Sequence, residues 1–153
     1  MKFISLALSL FLLLGCGDNQ KPKSYVQFLG GGLTFNYRYS KASMVVVIRR
    51  VSPMNEGSKF VALFEIPGET APQRIEVANN PNALDFKFES KALRGIKKDV
   101  PLHVSILAID EKGIQLDEIK KQFVSDVDQD SLPNKPLMNP NSPGYVPQLE
   151  NLK

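Results

Sequence analysis

The sequence has one cysteine, one histidine and no tryptophan among its 153 residues. A single cysteine excludes an internal disulfide bond, and a single histidine excludes a metal site built on two histidines of one chain. Any Ser-His-acid triad would have to use His103, which lies inside a predicted strand, whereas catalytic groups favour loops and strand ends. We therefore expect a packed or strand-surface histidine and a protein that is not an enzyme.

The sequence also has little concentration of charge. The formal net charge is +3, and the basic residues are spread out, with short pairs at Arg49-Arg50, Lys97-Lys98 and Lys120-Lys121. A nucleic-acid-binding protein needs a concentrated basic face, so we expect no nucleic acid as a partner. Hydrophobic residues make up 42% and charged residues 23% of the chain, a balance typical of one globular domain with a hydrophobic core.

No hydrophobic run is long enough to span a bilayer. The longest, from Phe3 to Leu14, has twelve residues and only two serines, whereas a membrane-spanning helix needs about 20. Lys2 precedes the run, and small and polar residues follow it from Gly15 onward. This arrangement is typical of a secretory signal peptide, which we predict over residues 1–15.

The sole cysteine follows this run directly. Residues 13–16, Leu-Leu-Gly-Cys, resemble the lipobox of bacterial lipoproteins. The resemblance implies cleavage between Gly15 and Cys16, a diacylglycerol on the Cys16 thiol and acylation of the new amine. Two or more acyl chains anchor a protein firmly, because each buried methylene contributes about 0.8 kcal/mol. The alternatives are an ordinary cleaved signal peptide and a buried N-terminal helix with a packed cysteine.

The residues after the cysteine indicate which membrane holds the anchor and where the tether lies. Gly17 stands directly after Cys16, where enterobacterial lipoproteins retained in the inner membrane have Asp. By this resemblance, and for a Gram-negative host, we expect an outer-membrane lipid anchor facing the periplasm. Residues 16–24 then form a polar tether that contains Pro22 and has no apolar periodicity.

From Tyr25 onward the dominant pattern is an alternation of apolar and polar residues, which predicts half-buried strands. Gly30-Gly31-Gly32 lacks the spacing of a phosphate-binding loop and is predicted to be a turn between two strands. The last predicted strand, residues 114–124, also fits one face of a helix, since Leu116, Ile119 and Phe123 recur at helical spacing. The predicted strands are 33–39, 44–51, 60–66, 74–77, 84–89, 102–110 and 114–124. They indicate a single, mainly β domain over residues 25–125, an antiparallel β-sandwich.

One segment resembles a known family. Residues 93–113 resemble the E–F loop and F strand of a fibronectin type III domain, with Leu93 and Ile96 at the Leu-x-x-Leu step. The alternating apolar positions of that strand are Val104, Ile106 and Ala108. Leu102 stands where the family has the Tyr of its tyrosine corner. The resemblance implies an Ig-like or fibronectin III-like sandwich and no particular function, since this fold carries many functions.

A group of aspartates follows the predicted domain. Asp126, Asp128 and Asp130 place acidic oxygens at every second position, as in the calcium loops of EF-hand proteins. Ser131 stands in place of the Gly of such a loop, and Leu137 in place of its bidentate Glu. The favoured interpretation is a solvated acidic hinge, and a calcium site is the alternative.

The C-terminal segment is rich in proline. Residues 126–153 are predicted to be the acidic hinge and a disordered, exposed tail, because proline at this density excludes both helix and central strand. The prolines of this segment are Pro133, Pro136, Pro140, Pro143 and Pro147.

Together these patterns predict a membrane-anchored, non-catalytic binding or structural module of the cell envelope with a protein partner. Two alternatives stay open, namely a calcium-dependent binding module that uses Asp126, Asp128 and Asp130, and a secretion-system or pilus assembly lipoprotein. No cofactor is expected other than the calcium of the first alternative. A hydrolase that uses carboxylates alone is disfavoured, since Asp and Glu are scattered along the chain without a paired signature.

Overall fold

A computed structural model of the chain describes residues 24–133 and residue 135. The predicted signal peptide, the predicted lipidation site at Cys16, almost all of the predicted tether and the Pro-rich segment from residue 136 lie outside the described residues. Within the described range the chain forms seven strands and one short 3-10 helix, Gln129–Ser131, and no α-helix. The strands are β1 Val26–Asn36, β2 Lys41–Arg50, β3 Lys59–Phe64, β4 Gln73–Ala78, β5 Asp85–Glu89, β6 Pro101–Ile109 and β7 Gln115–Val124.

The strands form two antiparallel sheets. One sheet has the order β1-β2-β5 and the other has the order β4-β3-β6-β7. The chain crosses between the sheets after β2, β4 and β5, and the two sheets pack as a sandwich around one core. The prediction of a mainly β, antiparallel sandwich is confirmed. The last strand is β throughout, because β7 pairs with β6 from end to end apart from one irregularity beside Ile109.

Alternation places one face of each strand in the core. In β2 the inward residues Met44, Val46 and Ile48 are fully buried, and each buried side chain of this size stabilises the fold by roughly 1.5–3 kcal/mol. The rings of Phe60 and Phe86 join the two sheets with centroids 4.6 Å apart. The period-two pattern therefore sets which residues face inward.

The segment that resembles the fibronectin type III family contributes to this core. Leu93 and Ile96 are buried in the loop between β5 and β6, and Leu102, near the start of β6, is buried as well. The family resemblance itself stays a prediction.

The prediction of a turn at Gly30-Gly31-Gly32 is wrong. These glycines lie inside β1, opposite Val47, Val46 and Val45 of β2, and a register irregularity stands between Phe28 and Gly30. Glycine sequences permit turns but also permit close packing of strands, and the pairing with β2 decides between the two.

The turn lies further along the chain, at residues 37–40, so the predicted strand 33–39 extended too far. Asn36 begins the turn, because its side-chain oxygen accepts the backbone N–H of Arg38 at 3.1 Å and its carbonyl accepts that of Tyr39 at 3.2 Å. Ser40 closes it with a φ of 49°.

The three glycines of β1 differ in the space around them. A Cβ atom on Gly31 would collide with the carbonyl oxygen of Val45 and lie 3.2 Å from the Phe123 ring. A Cβ on Gly30 or Gly32 would meet no atom within 4 Å. Only Gly31 is thus required by the packing of β1 against its neighbours.

We expect Gly31→Ala to lower the free energy of unfolding by roughly 1–3 kcal/mol, because backbone must move to admit the methyl group. Gly32→Ala is the matched control and should be neutral or stabilising by about 0.4–1 kcal/mol, since the site is open and the substitution restricts the unfolded chain. Urea unfolding of both variants measures the difference. Equal stabilities would contradict the packing of β1 on β2 and β7.

Candidate functional site

The first described residues are fixed against β7 by one carboxylate. Asp117 accepts the backbone N–H of Tyr25 at 2.7 Å and that of Val26 at 3.1 Å, and the hydroxyl of Ser24 donates to it at 3.1 Å. This contact sets the point at which the chain joins the sandwich. We call the end of the sandwich around Ser24 the tether end.

The environment of Asp117 favours its charged form. Partial burial opposes ionisation, but hydrogen bonds from the backbone N–H groups of Tyr25, Val26 and Glu118 outweigh it and hold the pKa of Asp117 below its ordinary value. A depressed carboxyl pKa stabilises the fold at neutral pH, and this stabilisation is lost as the pH falls through the folded-state pKa.

At the other end, residues after β7 pack back onto the domain. The Gln129 side chain donates to the carbonyl of Leu93 at 3.0 Å and accepts the backbone N–H of Ile96 at 3.2 Å, while the Gln129 backbone N–H donates to the carbonyl of Ile96 at 2.9 Å. The Ser40 hydroxyl then donates to the carbonyl of Pro133 at 2.8 Å. The chain is therefore held beside the β1–β2 turn, at what we call the far end.

The tether end and the far end are separated by the length of a strand. β1 begins at the Asp117 contact and ends at the turn beside Pro133, and its 11 residues span roughly 36 Å. The chain thus enters the described domain at one end and reaches its last described residues at the other.

A pocket of about 320 Å³ lies at the far end. Its volume falls at the lower limit of small-molecule sites, roughly 300–1,000 Å³. It lies between the β1–β2 turn, the loop before β6 and the segment around the 3-10 helix. The far-end pocket is lined by Phe35, Asn36, Tyr37, Ser40, Lys41, Ala42, Arg94, Gly95, Gln129, Asp130, Leu132 and Pro133.

Two charged residues that line the pocket, Lys41 and Asp130, are paired with charges outside it. Lys41 lies 3.3 Å from Glu89, whose pKa is lowered by hydrogen bonds from the Ser43 hydroxyl and from Lys41. Asp130 lies 2.7 Å from Lys97, and this contact raises the pKa of Lys97. Arg94, Asn36, Ser40 and Gln129 lie beside the aromatic and aliphatic side chains of the lining, so the pocket offers polar as well as apolar contacts to a ligand.

The three aspartates considered as calcium ligands lie at the far end of the sandwich. The Asp128 side chain accepts the backbone N–H of Lys98 at 3.0 Å, Asp130 pairs with Lys97, and Asp126 is exposed. In the described part of the chain no three His, Cys, Asp or Glu side chains are grouped to hold a metal ion. Calcium binding by these residues stays a prediction.

His103 lies on the exposed face of β6. Its Nδ1 is 2.7 Å from the Glu65 carboxylate, and its backbone N–H donates to the same oxygen at 2.8 Å. These hydrogen bonds from His103 lower the pKa of Glu65. The pair joins β6 to the residue after β3 and lies on the surface, outside the lining of the far-end pocket.

The predicted cleavage and lipidation residues Gly15 and Cys16 lie outside the described range, so the anchor stays a prediction. Among the residues that are described, no helix has the length and apolar character needed to cross a bilayer. No protein-family model matches the chain, and no curated protein matches it significantly.

We expect Asp117→Ala to lower the free energy of unfolding by about 1–3 kcal/mol at neutral pH, because the backbone N–H groups of Tyr25, Val26 and Glu118 lose a charged acceptor. The difference from the wild type should shrink in acid, as the wild-type carboxyl is protonated and its stabilisation disappears. Urea unfolding between neutral and strongly acidic pH tests this.

Asp126→Ala serves as the control for Asp117→Ala, since Asp126 is exposed and makes no hydrogen bond to the described residues. It should change stability by no more than about 0.5 kcal/mol. A pH-independent difference for Asp117→Ala would contradict the role assigned to its charge.

Proposed function

We propose that the chain is a membrane-anchored bacterial lipoprotein, attached through Cys16, whose sandwich binds another protein of the cell envelope at its far end. The observation that carries the proposal is the separation of the Asp117 contact at the tether end from the far-end pocket by the length of β1. A domain anchored at one end and open at the other is suited to presenting a binding site away from a membrane.

The dimensions support this arrangement. The chain from Cys16 to Ser24 reaches at most about 28 Å when fully extended. The Asp117 contact joins the tether to one end of the sandwich. The far end can therefore lie further from the membrane than the tether alone allows, by the length of the sandwich. In a Gram-negative host, Gly17 stands where lipoproteins retained in the inner membrane have Asp, which favours an outer-membrane anchor with the domain facing the periplasm.

The character of the pocket supports a protein partner rather than a substrate. Lys41 and Asp130 are paired with Glu89 and Lys97, and the lining combines aromatic and aliphatic side chains with polar ones. Aromatic and apolar anchors in pockets are the usual energetic centre of protein interfaces. A secretion-system or pilus assembly is one setting in which such a partner would occur.

The anchor is tested by labelling with radioactive palmitate in a Gram-negative host. We expect wild-type chain to carry the label and sediment with membranes, and Cys16→Ser to lose the label because the acceptor thiol is gone. Asn19→Ser, outside the lipobox, is the matched control and should label normally. Equal labelling of wild type and Cys16→Ser, or none in the wild type, would remove the anchor from the proposal.

The partner site is tested with a photoreactive amino acid in the full chain in whole cells. Placed at Tyr37, which is 45% exposed at the far end, it should give a discrete adduct with one envelope protein. Placed at Ile114, which is 58% exposed beside the tether end, it should not. Adducts from Ile114 alone, or none from either position, would contradict far-end binding.

A further inference from the structure

The four edge strands of the sandwich differ in charge. Charged side chains on an edge strand prevent pairing with another chain. β4 has Arg74 and Glu76, and β5 and β7 carry charges of both signs. β1, with the sequence VQFLGGGLTFN, has no charged residue although it is the longest strand. It is the edge least protected against strand addition.

The first half of β1 is covered by β7. Asp117 accepts the N–H of Val26, Lys121 lies 4.7 Å from the centre of the Phe28 ring, and the Phe123 ring lies 6.5 Å from the same ring. Beyond Gly31, β1 pairs with β2 on one side, and within the described range no strand pairs with its other side. Backbone N–H and C=O groups along this half are therefore available to a partner.

Packing among the residues that the structure describes does not explain the glycine in this half. Gly32 lies opposite Val45, and a side chain on Gly32 would project into open space. A glycine inside a strand costs roughly 0.5–1 kcal/mol relative to alanine, and such glycines often mark the close approach of another backbone. The open face beside Gly32 fits that approach.

The uncovered half of β1 leads directly into the far-end pocket. Phe35 and Asn36, the last residues of the strand, line the pocket, and Tyr37 continues its wall. Five residues from Gly32 to Asn36 give an edge of roughly 17 Å. A chain lying along this edge would bring its next side chain to the pocket.

We propose that the partner supplies an extended, uncharged segment that adds as a strand to β1 between Gly32 and Asn36 and places one of its side chains in the far-end pocket. In this mode, backbone hydrogen bonds provide affinity and the pocket provides specificity. An uncharged segment fits because β1 presents no charge for an ion pair. The inference rests on the proposed function, namely that the far end binds a protein.

The experiment uses the full chain with the photoreactive residue at Tyr37 and compares two lysine substitutions on the same strand. Gly32→Lys places a charge on the edge where the partner strand would lie, and its site has room for a side chain. We expect at least about a tenfold loss of the adduct, as for the loss of two or more net hydrogen bonds. Gln27→Lys, exposed on the half covered by β7, should leave the adduct unchanged.

Urea unfolding shows whether each variant is folded, and Thr34→Lys, at an exposed position of the same half, replaces Gly32→Lys if that variant unfolds. A Tyr37 adduct that survives Gly32→Lys or Thr34→Lys overturns strand addition and leaves far-end binding intact. An adduct of twice the chain mass identifies a second copy of this protein as the occupant and overturns the partner named above. Absence of any adduct in the wild type overturns both proposals.

Discussion

Apolar contact between the inner faces of the two sheets is the constraint on which the rest of the structure depends. Alternation in β2 turns Met44, Val46 and Ile48 inward, and the Phe60–Phe86 contact joins the sheets across the core. Once these faces meet, the loops between strands must lie at the two ends of the sandwich. The separation of the tether end from the far end follows from this packing.

Sequence periodicity predicted β2 to β7 and only the last part of β1, from Leu33 to Asn36. Burial on one face is a local pattern that each strand carries by itself. The glycines of β1 could not be assigned in this way. Whether Gly31 permits a turn or a close contact depends on the Val45 carbonyl and the Phe123 ring, which are distant in sequence. Pairing with β2, rather than local turn preference, determines the structure at these glycines.

The far-end pocket was not predictable from the sequence, because its lining comes from three separate segments. Gln129 illustrates the difficulty, since its hydrogen bonds to Leu93 and Ile96 join residues more than thirty positions apart. The spacing of the aspartates predicted a solvated hinge, and Asp126 is exposed. Asp128 and Asp130 instead hold this segment against the Lys97-Lys98 loop, a role that no spacing pattern reveals.

The opposite positions of Ser24 and Pro133 have a mechanical consequence. Tension applied between these two points would act nearly parallel to the strand axes, since β1 starts at one and ends beside the other. The backbone hydrogen bonds between β1 and β2 would then be loaded together in shear instead of breaking one after another. A sandwich attached in this way resists extension better than one pulled from two neighbouring loops.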